Sequence, residues 1–216
     1  MTTTPTTSLR PSAPADPVAE VVRKEIGRLQ QGYLSDRSEA VADLARLRRG
    51  AGKDAATIPN LWGLLDIELL HSTPGVRPDE AEEAVFIAMT LYALHQQSRS
   101  AAMHRTGGDE LGAAVRRLMP PGEIDEPVRK RFVRAGSAPT LAVLAARLRE
   151  ITLLLRGADL SLDYALLAQQ LYAWQRPGGR DQVRRSWGRS FHAHRPPKNT
   201  DAPARTPDET DQKDAS

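Results

Sequence analysis

The chain has 216 residues, with 30 lysines and arginines against 27 acids and no cysteine, which excludes disulfides, thiolate metal sites and thiol nucleophiles. Its formal charge of +3 is uneven: residues 18–195 hold 26 basic and 21 acidic residues, whereas the stretch from 198 holds three basic and five acidic. No apolar run approaches the roughly 18 residues of a membrane span, and the N-terminus lacks the apolar centre of a signal peptide, so a cytoplasmic protein with no membrane partner is expected.

Residues 1–16 are mostly Thr, Pro, Ser and Ala, and residues 196–216 are rich in Pro, Asp, Thr and Lys. Neither can bury enough apolar area to offset its ordering entropy, so both are expected to be disordered tails. Between them the chain reads as helix after helix. A helix over 17–31 follows Asp16-Pro17 and stops at Gly32; one over 36–49 follows Ser35 and stops at Gly50. A third is expected over 60–70, after Pro59, with Leu61, Leu64, Leu65 and Leu69 on one side. Pro78 then opens a helix whose first turn carries Asp79, Glu80, Glu82 and Glu83, complements to the positive helix end. It continues as AVFIAMTLYALH, apolar nearly all round, which predicts a central buried helix.

Asp109 is positioned to cap 110–118, and Pro120-Pro121 stops it. Asp125 and Pro127 open 126–134. Ser137 and Pro139 open 138–156, where Leu141, Leu144, Leu148, Ile151 and Leu155 form a packing seam that Gly157 ends. Ser161 opens 162–175, with Tyr164, Leu167, Leu171 and Trp174 on one face. Gly178-Gly179 precedes a last helix in which Val183, Trp187 and Phe191 make an apolar stripe, with Arg185 and Arg189 roughly opposite. The fold class is all-α: about nine helices over 17–195, forming one helical body or two small sub-bundles, with joints conceivable near 50–58, 120–137 and 157–161.

The sequence offers little catalytic chemistry. RRGAGKD at 48–54 superficially resembles a phosphate loop, but Leu47 and Asp54 stand where that motif needs Gly and Ser or Thr, and no strand precedes it. His192 and His194 lack a third ligand nearby, Asp66 and Glu68 do not share a helix face, and no Ser sits in a G-x-S-x-G turn. No catalytic residue, metal or cofactor is expected.

The basic residues are more informative. Of 30, 25 are arginine, which suits bidentate phosphate contact; a GC-rich genome would give the same ratio. They are grouped near helix ends, and residues 127–149 hold six basic residues and no acid. Within 128–134, Val128 and Phe132 share one side, Lys130, Arg131 and Arg134 the other. Absent a helix-turn-helix pair, zinc finger or aromatic platform, the pattern points to contact with a sugar-phosphate backbone without base reading, against the alternative of a merely solvated charged face.

Two blocks carry a resemblance. TLYALHQQSRSAAMHRTGGDELGAAVRRL (90–118) and LDYALLAQQLYAWQRPGGRDQVRRSWGRSF (162–191), with IPNLWGLL (58–65) and ARLRRGAG (45–52), resemble the CasB small-subunit family of the type I-E CRISPR Cascade complex over roughly residues 18–195. The resemblance implies an all-helical, non-enzymatic subunit that lies head to tail with a second copy of itself. It implies contact with the large subunit and the backbone subunits, and with guide RNA, target DNA and the displaced strand. It carries candidate nucleic-acid contacts to particular residues: Arg48 and Arg49 after the second helix, Arg105 in the His-Arg loop, Arg131 and Arg134 in the mid-chain basic helix, Arg147 and Arg149 in the next, and Arg180, Arg184 and Arg185 opening the last. The two tails depart from the family pattern. A helical scaffold with incidental arginines and a free-standing DNA-binding regulator remain the alternatives.

Overall fold

The computed structural model describes residues 16–53, 58 and 63–193. The expected tails, apart from Asp16, lie outside these residues, as do Asp54, Leu61 and His194. Among the described residues there are nine helices: α1 Pro17–Leu34, α2 Ser38–Arg48, α3 Glu68–Ser72, α4 Pro78–Gln96, α5 Leu111–Arg117, α6 Glu126–Gly136, α7 Leu141–Gly157, α8 Tyr164–Trp174 and α9 Gly179–Ala193. The only β-type pairing among them is an isolated parallel bridge between His104 and Leu162. None of the described helices is long and apolar enough to cross a membrane.

Caps explain most boundaries and correct several expected ones. Asp16 accepts from the Val18 and Ala19 amides, and Asp125 from Val128, as their positions suggest. α1 continues past Gly32 to Leu34; Ser35, whose amide donates to the Gln31 carbonyl while that of Asp36 donates to Tyr33, closes it and does not open α2. α7 begins at Leu141 because Thr140 caps it, while Ser137 serves as the C-cap of α6. α8 begins at Tyr164 because Asp163, not Ser161, accepts from the Leu166 amide. Asp109 does not cap α5; its carboxylate pairs with Arg117.

The third helix departs furthest from expectation. Residues 60–62 lie outside the described residues; among those described, only Glu68–Ser72 is helical here, and Leu64 and Leu65 reach the core from a turn. Asp66 accounts for the late start: it holds Lys24 at 2.7 Å and accepts from the Glu68 amide. The inward residue is Leu70, while Leu69 is exposed.

α4 is the hub. Every residue from Ile87 to Gln96 is buried, and α1, α2, α7 and α8 pack around it. One buried cluster draws side chains from all nine helices. α9 closes one side through Val183, Trp187 and Phe191, at 3%, 1% and 6% exposure; such burial stabilises by about 1.5–3 kcal/mol per large apolar side chain. Its approach to α5 is so close that a Cβ on Gly112 would lie 2.0 Å from the Trp187 carbonyl oxygen.

The HQQS…MHR run is a buried polar latch. Gln96 donates to the Arg99 and Ala101 carbonyls at 3.0 and 2.8 Å, and its Oε1 accepts from the Met103 amide at 3.0 Å. Gln30 of α1 accepts from the His104 amide and donates to the His104 carbonyl. His104 Nδ1 accepts from the Tyr164 amide at 3.1 Å, and His95 Nδ1 lies 2.9 Å from the Tyr164 hydroxyl. Burial pushes His95 down from 6.5 to about 4 and His104 down as well. The latch sets the path of 97–105 across the ends of α1 and α8.

Candidate nucleic-acid interface

The inward face of α6 places its basic face outside. Phe132 stacks on Phe191 with centroids 5.3 Å apart and lies 6.5 Å from Trp187. Ala135 is buried and Val128 packs against the core. That leaves Lys130 and Arg134 exposed, with Arg131 half-buried and donating to the Pro127 carbonyl. α9 follows the same plan: its apolar stripe is buried, and Arg180, Arg184, Arg185 and Arg189 are exposed.

Three of the expected groups meet at the end of α6. An α-helix leaves its last four carbonyls without intrahelical donors, and those of α6 are all satisfied. The Val133 carbonyl accepts from the Ser137 amide and hydroxyl, and the Ala135 carbonyl from the Ala138 amide. The Arg134 carbonyl accepts from Arg147 Nη1 at 2.8 Å, and the Gly136 carbonyl from Arg184 Nε at 2.6 Å. Two cations therefore sit at the negative end of the α6 dipole, a stabilising placement. Arg184 also pairs with Asp181 at 3.2 Å and lies 5.3 Å over the Trp174 ring, which itself stacks on Trp187. Neither Arg147 nor Arg184 is merely a solvated charge, and sequence had assigned them only to nucleic acid. No local pattern could reveal the difference, since the carbonyls they meet are 13 and 48 residues away.

The basic pair at the end of α2 joins this side through α7. Gly52 has φ +79°, and a Cβ there would lie 3.1 Å from Arg149 Cδ. The turn carrying Arg48, Arg49 and Lys53 is thereby laid against the stem of Arg149, and the supposed phosphate loop is this turn. Arg147 and Arg149 flank the buried stripe of α7, one toward α6 and one toward the α2 turn. Glu150, exposed beside them, is the acid on this helix face.

Arg105 stands apart. Its amide donates to the Leu162 carbonyl, beside the N-terminus of α8, whereas Arg184 covers Trp174 at the C-terminus of the same helix. Eleven helical residues, about 16 Å, separate those ends.

Ion pairing sorts the arginines. Arg28, Arg46, Arg77, Arg99, Arg117 and Arg129 are each bound to a carboxylate. Arg129 is held by Glu126, which raises the arginine and lowers the acid from their ordinary values. Of the ten arginines carried over from the family resemblance, Arg184 alone pairs with a carboxylate among the described residues. The other nine have no carboxylate partner among the described residues, although Arg131 and Arg147 donate to backbone carbonyls. No group of three or more His, Asp or Glu among the described residues is placed to hold a metal.

Three comparisons bear on this arrangement. A family model described as CRISPR-associated protein Cse2 matches residues 43–192. No curated protein matches the chain. Among solved structures, CasB from Thermobifida fusca is 51% identical, superposes with a TM-score of 0.75, and the match covers 82% of this chain and 99% of that one. CasB from Thermus thermophilus is 24% identical with a TM-score of 0.61, over 81% and 97%. A chain of a CRISPR RNA-guided surveillance complex is 19% identical with a TM-score of 0.60, over 81% and 93%. The last two likenesses are of fold.

Proposed function

The chain belongs to the CRISPR-associated Cse2 family, and from that premise we propose that it is the small, non-catalytic subunit of a Cascade-type RNA-guided surveillance complex in the cytoplasm. In this reading its partners are the large and backbone subunits, a second copy of itself placed head to tail, the guide RNA and the target DNA. The observation that carries the nucleic-acid part is the sorting of arginines: Arg49 on the α2 turn, Arg134 on α6, Arg149 on α7 and Arg180, Arg185 and Arg189 on α9 are exposed and have no carboxylate partner among the described residues.

The mechanism needs no base contact. Guide and target pair with each other, so the subunit has only to hold backbone. Strand exchange in such a complex is nearly balanced, and each guanidinium–phosphate hydrogen bond contributes about 1.5–3 kcal/mol gross, so a few contacts tip it. Arg134, Arg149, Arg180 and Arg185 serve as phosphate donors; Arg147 and Arg184 hold the end of α6 with one nitrogen each and offer their remaining donors to the same strand. Arg105, at the far end of α8, would meet a different stretch of nucleic acid or a neighbouring subunit.

The direct test is co-expression with the other subunits and purification through a tag on this chain. Recovery of a short RNA with those subunits supports the reading. Recovery of the subunits with RNA, combined with full DNA affinity after Arg134→Ala, Arg149→Ala and Arg185→Ala together, would leave a scaffold whose arginines are incidental.

A further inference from the structure

The turn between α8 and α9 borders an open cavity of about 420 Å³, walled by Trp174, Gln175, Arg176, Arg180, Asp181 and Arg184. Three guanidinium groups line it against one carboxylate, and that carboxylate, Asp181, is already held by Arg184 at 3.2 Å. The cavity between α1 and α3 has the reverse balance, with Glu20, Asp66 and Glu68 against Lys24. We propose that the α8–α9 cavity is an anion site that seats a single phosphate group of a nucleic-acid strand, with Arg176 and Arg180 as its principal ligands.

The three cations are held in different ways. The Arg176 guanidinium lies 4.2 Å over the Tyr172 ring and donates through Nη2 to the Tyr172 hydroxyl, which also accepts from the Arg77 amide at 3.0 Å. A guanidinium stacked on a ring and tied at one nitrogen has little freedom left to lose when its other donors meet an oxyanion. Arg184 is fixed by the Gly136 carbonyl and Asp181 and lies over Trp174. Arg180 is exposed, and its side chain makes no hydrogen bond or ion pair. The backbone adds donors. Gly178 turns at φ +73° and α9 begins at Gly179, where a Cβ would overlap the Ala173 carbonyl oxygen, so the turn is packed directly on the end of α8. The amides of Arg180 and Asp181, in the first turn of α9, have no acceptor among the described residues. As at any helix start, they point back toward the preceding turn, which here walls the cavity. Trp174 is 1% exposed, and its Nε1 is buried without an acceptor. Positive charge from side chains and from the helix end thus converges on one concavity beside an unmet buried donor.

The consequence is a fixed point on an otherwise sliding surface. Outward cations attract a strand in any register, whereas a phosphate seated in a cavity sets where the strand begins its path over the subunit. Arg176 becomes a strand ligand alongside the arginines of α9. The inference rests on the nucleic-acid reading above for the molecule that carries the phosphate, but not for the anion site itself.

The experiment has two arms, both on the full chain. Inorganic phosphate is titrated at constant ionic strength, with chloride as the balancing anion, and followed by amide chemical shifts. Saturable shifts centred on residues 175–182, lost in Arg180→Gln and kept in Arg23→Gln, an exposed arginine of α1, support the site. Shifts spread evenly over the exposed arginines overturn it. Arg180→Gln removes no hydrogen bond or ion pair of its side chain, so a loss of phosphate binding in that variant does not come from misfolding. In the second arm a duplex with 5′-hydroxyl ends is titrated by fluorescence anisotropy over a range of salt. Arg176→Gln with Arg180→Gln should weaken binding roughly three- to tenfold at about 50 mM salt and lower the slope of log affinity against log salt by about one, because both hold the same phosphate. A fall of about two would put the arginines on separate phosphates and overturn the shared site. Phosphate shifts at the turn combined with duplex affinity unchanged in the double variant leave the anion site standing and remove the strand from it. If the native chain binds no duplex yet phosphate still shifts the turn, the site stands and the nucleic-acid reading falls.

Discussion

The polar latch around Gln96 and His104 lies inside the helical body, its side chains turned on the chain itself. The arginines of α6, α7 and α9 lie outside it, and Arg134, Arg149, Arg180, Arg185 and Arg189 among them are exposed with no carboxylate partner among the described residues. The latch supplies the most recognisable stretch of sequence, because His and Gln at those positions answer to particular carbonyls and amides. The arginine face supplies far less distinctive sequence, because any outward cation satisfies a phosphate. What identifies the family is therefore architecture, and what performs the proposed work is a surface of ordinary composition.

Mutations that separate the two regions should rank as follows. Trp187→Ala removes the ring that joins α9 to α6, α8 and Gln170, and should cost roughly 3–5 kcal/mol in denaturant melts. It breaks the comparison, since it loosens the core and the basic face together. Gln96→Leu attacks the latch alone: it strands the Met103 amide and two carbonyls, and should cost about 2–4 kcal/mol while leaving DNA affinity per folded molecule unchanged.

Acid sharpens the same contrast. The unfolded chain protonates His95 below about 6.5, the folded chain only near 4, so the unfolded state holds more protons between those values. Stability is full above pH 6.5 and is lost as pH falls toward 4, by about 2 kcal/mol between pH 7 and 5, with His104 shifted in the same direction. Melts at the two pH values check this, and a flat profile would mean that water reaches the imidazole.

On the other side, Arg184→Ala should cost about 1 kcal/mol of stability, through the Gly136 carbonyl, and also weaken DNA binding. Arg149→Ala with Arg185→Ala should be nearly silent in stability, within about 0.5 kcal/mol, yet lower the slope of log affinity against log salt by about two. Those two residues, rather than Arg184, isolate the basic face.

Much of this molecule was legible before its structure. The stripe of Val183, Trp187 and Phe191 and the all-round apolarity of 84–95 speak through periodicity, and both are buried as expected except for the half-buried Phe86. The start of α3 was not legible, because Leu64 and Leu65 imitate a helical face while Asp66 diverts the backbone locally. Among the arginines, the Glu126–Arg129 and Asp43–Arg46 pairs were readable from three-residue spacing, and Glu126 stands just outside the acid-free window of 127–149. The pairing of Arg99 with Asp159 was not, nor was the latch, since a glutamine gives no sign in sequence of which distant groups it will bind.

The closure of α6 also has an order in time. Its final carbonyl is met by a side chain made 48 residues later, and Phe132, Trp174 and the cleft at Gly112 likewise wait for α9. A nascent chain halted at Gly178 would hold these positions open, so the ribosome must finish the last helix before the earlier ones can settle.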